Sequence, residues 1–300
     1  MKFWIPRILT SFHCGVFALC IIISFTRIPL GISKRASGII QRHSSLAMTT
    51  EIELRASCDA LSLMNPVIKR FIVKHGYPSF SPPRPLSVFT LTRIICGQQI
   101  GASQAKTISK RVEDLVVYDK LPDQGKSPTK KRKLEEIASE EDYGGMTAKT
   151  EEAALALDDA TIASKILKLD QTVLKSCGLS QRKTEYIIGI AKAIDTGDLV
   201  LEDLHKMDDA TVEQKLVALK GIGPWSAHML LIFTLSRQDV WPIGDEAVRG
   251  GLRVLFDLKK RDKKSISLKQ DIELAVKTGE DFIGHRSALA KLCYKAYGLK

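Results

Sequence analysis

The stretch LKGIGPWSAHMLLIF, Leu219 to Phe233, sets two glycines one residue apart between two segments of helical character. A helix breaks at Gly-Ile-Gly-Pro-Trp and resumes at once with apolar residues. Gly221 and Gly223 permit positive φ and keep side chains off the backbone, whereas a plain turn needs one glycine at most. Pro224 suits a first helical turn, and the amides that follow it are free to meet an anion. Ile222, between the glycines, is the residue to anchor the turn in a core. The pattern specifies a tight helical hairpin whose backbone something outside the chain approaches closely.

The sequence around it is helical as well. LSVFTLTRIICGQQIGASQAKTISKRV, Leu86 to Val112, reads as two helices with a break at Gly97 to Ser103. DDATIASKILKLD and TEYIIGIAKAI carry apolar residues at spacings of three and four. DDATVEQKLVALK opens with Asp208 and Asp209, either able to cap the first amides. The letters DDAT recur at 158 and 208, as two similarly capped helices would make them. Alternating β runs with turn dipeptides are scarce, so the expected fold is all-α.

A net charge of +11 points to a polyanionic partner, nucleic acid or anionic membrane. The first fifty residues hold six Lys or Arg and no acid; six from eleven leaves +5 for residues 51–300, a moderately basic body. The six cysteines, Cys14, Cys20, Cys58, Cys96, Cys177 and Cys293, stand at no metal-ligand spacing. They read as buried thiols, with no metal site expected.

Residues 1–47 are set apart from the fold. GVFALCIIISF, Gly15 to Phe25, is short for a membrane span and is followed by an acid-free, Arg- and Ser-bearing stretch. Either this is a targeting segment for an organelle or membrane, or translation begins at Met48. The domain is expected over 51–300, interrupted at 120–150 by a charged insert with the composition of disorder. The run Lys130 to Lys133 inside it resembles a nuclear import signal, with a solvated charge run as the alternative.

About twenty residues after the hairpin comes DVWPIGDEAVRGGL, Asp239 to Leu252, where Pro242 and Gly244 break the chain just before Asp245. With RIICGQQIGASQAKTI (Arg93 to Ile108) and CGLSQRKTEYIIGIAKAI (Cys177 to Ile194) in order before it, the chain resembles the helix-hairpin-helix DNA glycosylases, and specifically their 3-methyladenine DNA glycosylase II branch. The resemblance spans about Leu86 to Lys300, less the insert. It implies two helical subdomains with a DNA-binding cleft between them. Branches that also cut the backbone place a lysine nucleophile where this chain has Trp225, and the iron-sulfur branch ends in four cysteines that are absent here. Near the C-terminus the family usually reads Trp-x-Pro-Tyr-Arg-Ser, and this chain has Gly284-His285 in place of the Pro-Tyr pair. Gly244 stands where many relatives carry another acid.

The resemblance implies hydrolytic excision of alkylated purines from double-stranded DNA by a monofunctional, monomeric enzyme, whose abasic product passes to downstream repair enzymes. A glycosylase for oxidised or mismatched bases, and a non-catalytic hairpin module, are the alternatives. N-glycosidic cleavage develops positive charge on the sugar, which a carboxylate stabilises while it activates water. Asp245 is the candidate, with an N-cap role alongside. Trp225 is the candidate to receive a flipped, cationic base by stacking and cation–π attraction, with core packing as the alternative. Trp241 is open between a second pocket wall and packing. Gly221, Ile222, Gly223 and Ser226 are the expected backbone grip, which could include a monovalent cation; no other cofactor is expected. In the loop Gln98-Gln99-Ile100-Gly101, Gln99, Ile100 and Gly101 are expected at the DNA, with Ile100 the candidate wedge or else a packing residue. Arg182 and Lys183 are open between a phosphate contact and wet surface. The lesion preferred is not fixed by these residues, and the import signal and N-terminal segment point to nucleus and organelle respectively.

Overall fold

The computed structural model describes residues 50–79, 85–122, 157–257 and 268–299. The readings placed on 1–47, on the import signal and on most of the 120–150 insert lie outside these. Regular structure among the described residues is helical throughout.

A helix over 50–64, α1, leads directly into α2 (Pro66–His75). Asn65 separates them by accepting from the amides of Val67 and Ile68 with its side chain, and Gly76 ends α2 at φ 77. Then come α3 (Val88–Gly97) and α4 (Ala102–Tyr118), so the break read at Gly97 to Ser103 narrows to 98–101. Ser87 caps α3. Next are α5 (Asp159–Lys168), α6 (Gln171–Ser176) and α7 (Gln181–Asp195), capped by the side chains of Asp158, Asp170 and Ser180. A 3-10 turn over Leu201–His205 precedes α8 (Asp209–Val217) and α9 (Pro224–Phe233), the two arms of the hairpin. The last three are α10 (Glu246–Leu255), α11 (Leu268–Asp281) and α12 (Arg286–Gly298). In each DDAT repeat the first aspartate is the cap: Asp158 and Asp208 each accept from the threonine amide three residues on. The second aspartates turn elsewhere, Asp159 to the amide of Val88 and Asp209 to Arg237.

The helices pack in two groups. In one, α3 lies against α4, α5 and α7, with α5 and α6 also on α7. In the other, α10 lies against α2, α11 and most extensively α12. The hairpin arms α8 and α9 pack on each other. One connected apolar core runs through both groups, including Ile95, Ile187, Leu216, Leu230, Leu252 and Leu289. Each such side chain contributes about 1.5–3 kcal/mol by leaving water. Cys58, Cys96, Cys177 and Cys293 are buried free thiols, and burial pushes Cys96 and Cys177 up to about 11.

The C-terminal group is clamped by an ion pair. Both carboxylate oxygens of Asp239 accept from Arg286, through Nε and a terminal nitrogen at 2.7 Å each, and the Gly284 amide adds a third bond at 2.7 Å. Gly284 sits at φ 91, where glycine is favoured; here the Gly284-His285 departure serves the turn into α12. Partial burial pushes the Asp239 pKa up, but the Arg286 and Gly284 hydrogen bonds outweigh it and hold the carboxyl below its ordinary value. A carboxylate whose pKa is depressed on folding stabilises the fold fully above its unfolded pKa of about 3.9, and that share is lost as pH falls through the lower folded value. Asp239→Asn should therefore cost roughly 1–2 kcal/mol at pH 7 and flatten the acid side of the stability profile. Urea melts of both proteins between pH 2 and 7 measure this; parallel curves would remove Asp239 from the acid response.

Candidate active site and hairpin

Asp245 stands at the head of α10, held in place by a short turn. Its amide donates to the Pro242 carbonyl at 2.9 Å, and Arg249 secures the same turn by donating to the Ile243 carbonyl at 2.7 Å. The side chain is 7 % exposed, and its two oxygens have different duties. Oδ1 accepts from the amides of Ala247 and Val248 at 2.7 and 3.2 Å, which is the N-cap. Oδ2 accepts from the Trp225 indole Nε1 at 2.6 Å and from the Tyr294 hydroxyl at 3.1 Å. The flanking residues Gly244 and Glu246 are exposed. A buried carboxylate with one oxygen capping and the other turned toward an aromatic wall can stabilise positive charge arriving beside that wall.

The wall is one face of α9. Trp225, Met229 and Phe233 recur at intervals of four, so they line a single side of the helix. Trp225 is 40 % exposed although its indole N–H is tied to Asp245, which leaves ring surface open for stacking. Tyr294 of α12 crosses this face; its hydroxyl is 3.5 Å from the Met229 sulfur, and its ring centroid lies 5.8 Å from that of Phe233. Lys291 Nζ stands over the Phe233 ring, 5.6 Å from its centroid. Sequence reasoning missed Met229, Phe233 and Tyr294. The first two were readable from the spacing that follows Trp225; Tyr294 had no local signal.

Trp241 stands apart from this group. It is 8 % exposed, its Nε1 donates to the Ala275 carbonyl at 2.8 Å, and a Cβ on Gly279 would overlap its ring. Of the two roles open to it, this placement is core packing.

Of the two hairpin glycines only Gly221 uses positive φ; Gly223 lies at φ −96 with open space at its Cβ position. Gly221 adopts φ 97, and a Cβ there would overlap the Tyr186 ring, so any other residue would be both strained and crowded. Ile222 is buried and anchors the turn. Gly223 is the N-cap of α9 and offers no side chain to its first amides, and Pro224 at the first position has none to satisfy. Ser226 is buried, so its contribution at the surface reduces to its backbone.

The loop after α3 is joined to the hairpin. Gln98 Nε2 donates to the Gly221 carbonyl at 2.7 Å. Lys183 donates to the carbonyls of Cys96 and Gln98 at 2.8 Å each, so it fastens the end of α3. Gln99 takes a left-handed conformation at φ 59 and is exposed, whereas Ile100 turns back against the core. Gln99 is thus the more exposed residue of this turn, and Ile100 is half-buried. Gly101 is exposed and caps α4 without a side-chain bond. Two helix starts without side-chain caps, α4 and α9, are in this way linked through Gln98, and both suit anionic oxygens.

Residues 92–275 match the pattern of the HhH-GPD superfamily base excision DNA repair proteins. The DNA-3-methyladenine glycosylase 1 of Schizosaccharomyces pombe is 36 % identical over 106 residues, 35 % of this chain and 46 % of that protein. A DNA-3-methyladenine glycosylase of Bacillus subtilis is 33 % identical over 100 residues, 33 % of each chain. The chain thus spans less than half the length of these relatives. Among solved structures, the Schizosaccharomyces pombe 3-methyladenine DNA glycosylase in complex with abasic DNA superposes with a TM-score of 0.55 at 24 % identity, over 80 % of this chain and 95 % of that one. The 3-methyladenine DNA glycosylase of Archaeoglobus fulgidus gives 0.55 at 21 % identity, over 89 % and 77 %. Likeness at these identities establishes the fold.

Proposed function

The chain belongs to the HhH-GPD superfamily of base excision DNA repair proteins, and from that premise we propose that it is a monofunctional DNA glycosylase for alkylated purines of the 3-methyladenine type. The observation that carries the reading is the buried Asp245 carboxylate, whose Oδ2 accepts at 2.6 Å from the Nε1 edge of the exposed Trp225 ring. A flipped purine alkylated at a ring nitrogen is cationic, and stacking on such a ring favours it by roughly 0.5–2 kcal/mol. Asp245 would lie beside the sugar, stabilise the oxocarbenium-like transition state and activate water. Trp225 stands where lyase branches carry their lysine, so the glycosidic bond is cut by water and the strand is left whole.

Duplex DNA is the partner. The uncapped starts of α4 and α9 and the Gly221–Gly223 backbone would meet phosphates, and the exposed Gln99 would enter the space left by the flipped base. Hydrolysis by water needs no cofactor; a monovalent cation at the hairpin carbonyls would only add to the phosphate grip. The enzyme acts as a monomer, hands an abasic site to abasic-site repair enzymes, and works in the nucleus, a placement supported by the run Lys130 to Lys133.

The test is a duplex carrying one alkylated purine, incubated with the full chain. The labelled strand should stay intact until alkali cuts it at the abasic site, and borohydride should trap no covalent adduct. Strand cleavage without alkali together with a trapped adduct would overturn hydrolysis by water.

A further inference from the structure

The Asp245 carboxylate has a second side-chain donor that comes from a different helix and lies far along the chain. Trp225 reaches Oδ2 from α9, and Tyr294 reaches the same oxygen from α12, forty-nine residues after the aspartate. The two donors are not equivalent. Trp225 is exposed and is the ring on which a base would stack, so its indole has to accommodate the ligand. Tyr294 is half-buried, with its ring beside Phe233 and its hydroxyl also near the Met229 sulfur, so its position is set by packing.

We propose that Tyr294 is a positioning residue for Asp245, holding Oδ2 toward the α9 face while the Trp225 indole adjusts to a bound base. This rests on Asp245 being the reactive carboxylate. The cap bonds fix Oδ1, but two amides at one oxygen leave rotation about the last side-chain torsion to be stopped at the other. With the indole as the only donor at Oδ2, every ring movement would drag the carboxylate with it. A hydroxyl anchored on α12 uncouples the two.

The test compares wild type, Tyr294→Phe, Trp225→Phe and the double variant, all in the full chain. Three quantities are read in all four: melting temperature, affinity for duplex containing an abasic-site analogue, and single-turnover excision rate at saturating enzyme; the Trp225 indole N–H resonance is read in wild type and Tyr294→Phe. Loss of one hydrogen bond to a charged group should slow excision by Tyr294→Phe about tenfold. Its abasic-duplex affinity should stay within about twofold, and its melting temperature should fall by only a few degrees, the cost of one hydrogen bond with the ring retained. The indole resonance should move, since Oδ2 then serves a single donor. The double variant should lose more than the product of the single losses, because either donor alone partly holds the oxygen. A Tyr294→Phe protein with full excision rate, or with rate, affinity and melting temperature falling together, would overturn the proposal. An unmoved indole resonance would overturn it too, even if wild type excises nothing; a moved resonance in an inactive wild type would keep the positioning role and refute the glycosylase reading instead.

Discussion

Gly251→Val should unfold much of the protein's margin, lowering stability by roughly 3–5 kcal/mol, among the larger effects of a single core change. A Cβ at Gly251 would overlap the backbone carbonyl and Cα of Cys293 in α12. Backbone cannot swing aside as a side chain does, so α10 and α12, the most extensive helix pair in the fold, would have to part. Two consequences should appear together. The melting temperature should drop by about 6–20 °C, at 2–4 °C per kcal/mol for a chain of this size. Asp245 and Tyr294, borne by those same helices, should lose their 3.1 Å contact. Gly189→Ala is the control. Gly189 lies inside α7 with open space around its Cβ position, so alanine should stabilise the protein by about 0.5–1 kcal/mol through helix propensity alone. Equal melting temperatures for Gly251→Val and wild type would refute the close-packed seam.

Asp245→Asn should reduce the single-turnover excision rate by about two to four orders of magnitude, the usual worth of a positioned acid or base. The substitution separates chemistry from structure because asparagine caps helices as well as aspartate does. Its carbonyl can take over the bonds from Ala247 and Val248. The amide then faces the Trp225 indole N–H, donor against donor, while the Tyr294 hydroxyl can reverse and accept. One lost bond should cost about 1 kcal/mol of stability. Affinity for an abasic duplex should stay within a few-fold, since the hairpin and the loop at Gln99 are untouched. Asp245→Ala should match the rate loss and add about 1 kcal/mol for the missing cap. Stopped excision with near-normal folding and binding is the signature of a catalytic carboxylate. Loss of all three in proportion would leave Asp245 as a cap alone.

What the sequence revealed was what local chemistry decides. The paired glycines imposed the hairpin, and Ile222 between them went to the core. Asp158 and Asp208 were legible as caps because a side chain three residues from an amide needs no tertiary structure to find it. Asp245 was legible as a cap from the break at Pro242 and Gly244 ahead of it; its catalytic role came only from the resemblance. What the sequence left open or missed depends on packing between distant segments. Trp241 was open between pocket wall and packing; Gly279 and the Ala275 carbonyl, more than thirty residues on, take its ring and its N–H. Ile100 was open between wedge and packing; with a left-handed backbone at Gln99, Ile100 lies half-buried against the core and Gln99 faces water. Lys183 finds its carbonyls on a helix that ends 86 residues earlier. Tyr294 meets Asp245 only because Gly251 lets two helices touch.

The central claim is that Asp245 and the Trp225 face form a site that hydrolyses the bond to an alkylated purine. Its most direct measurement is chromatography of the free bases released from methylated duplex DNA by the wild-type chain. The account predicts that 3-methyladenine appears with time and enzyme, leaving strands that only alkali cuts. An absence of released base from DNA that the protein demonstrably binds would contradict it.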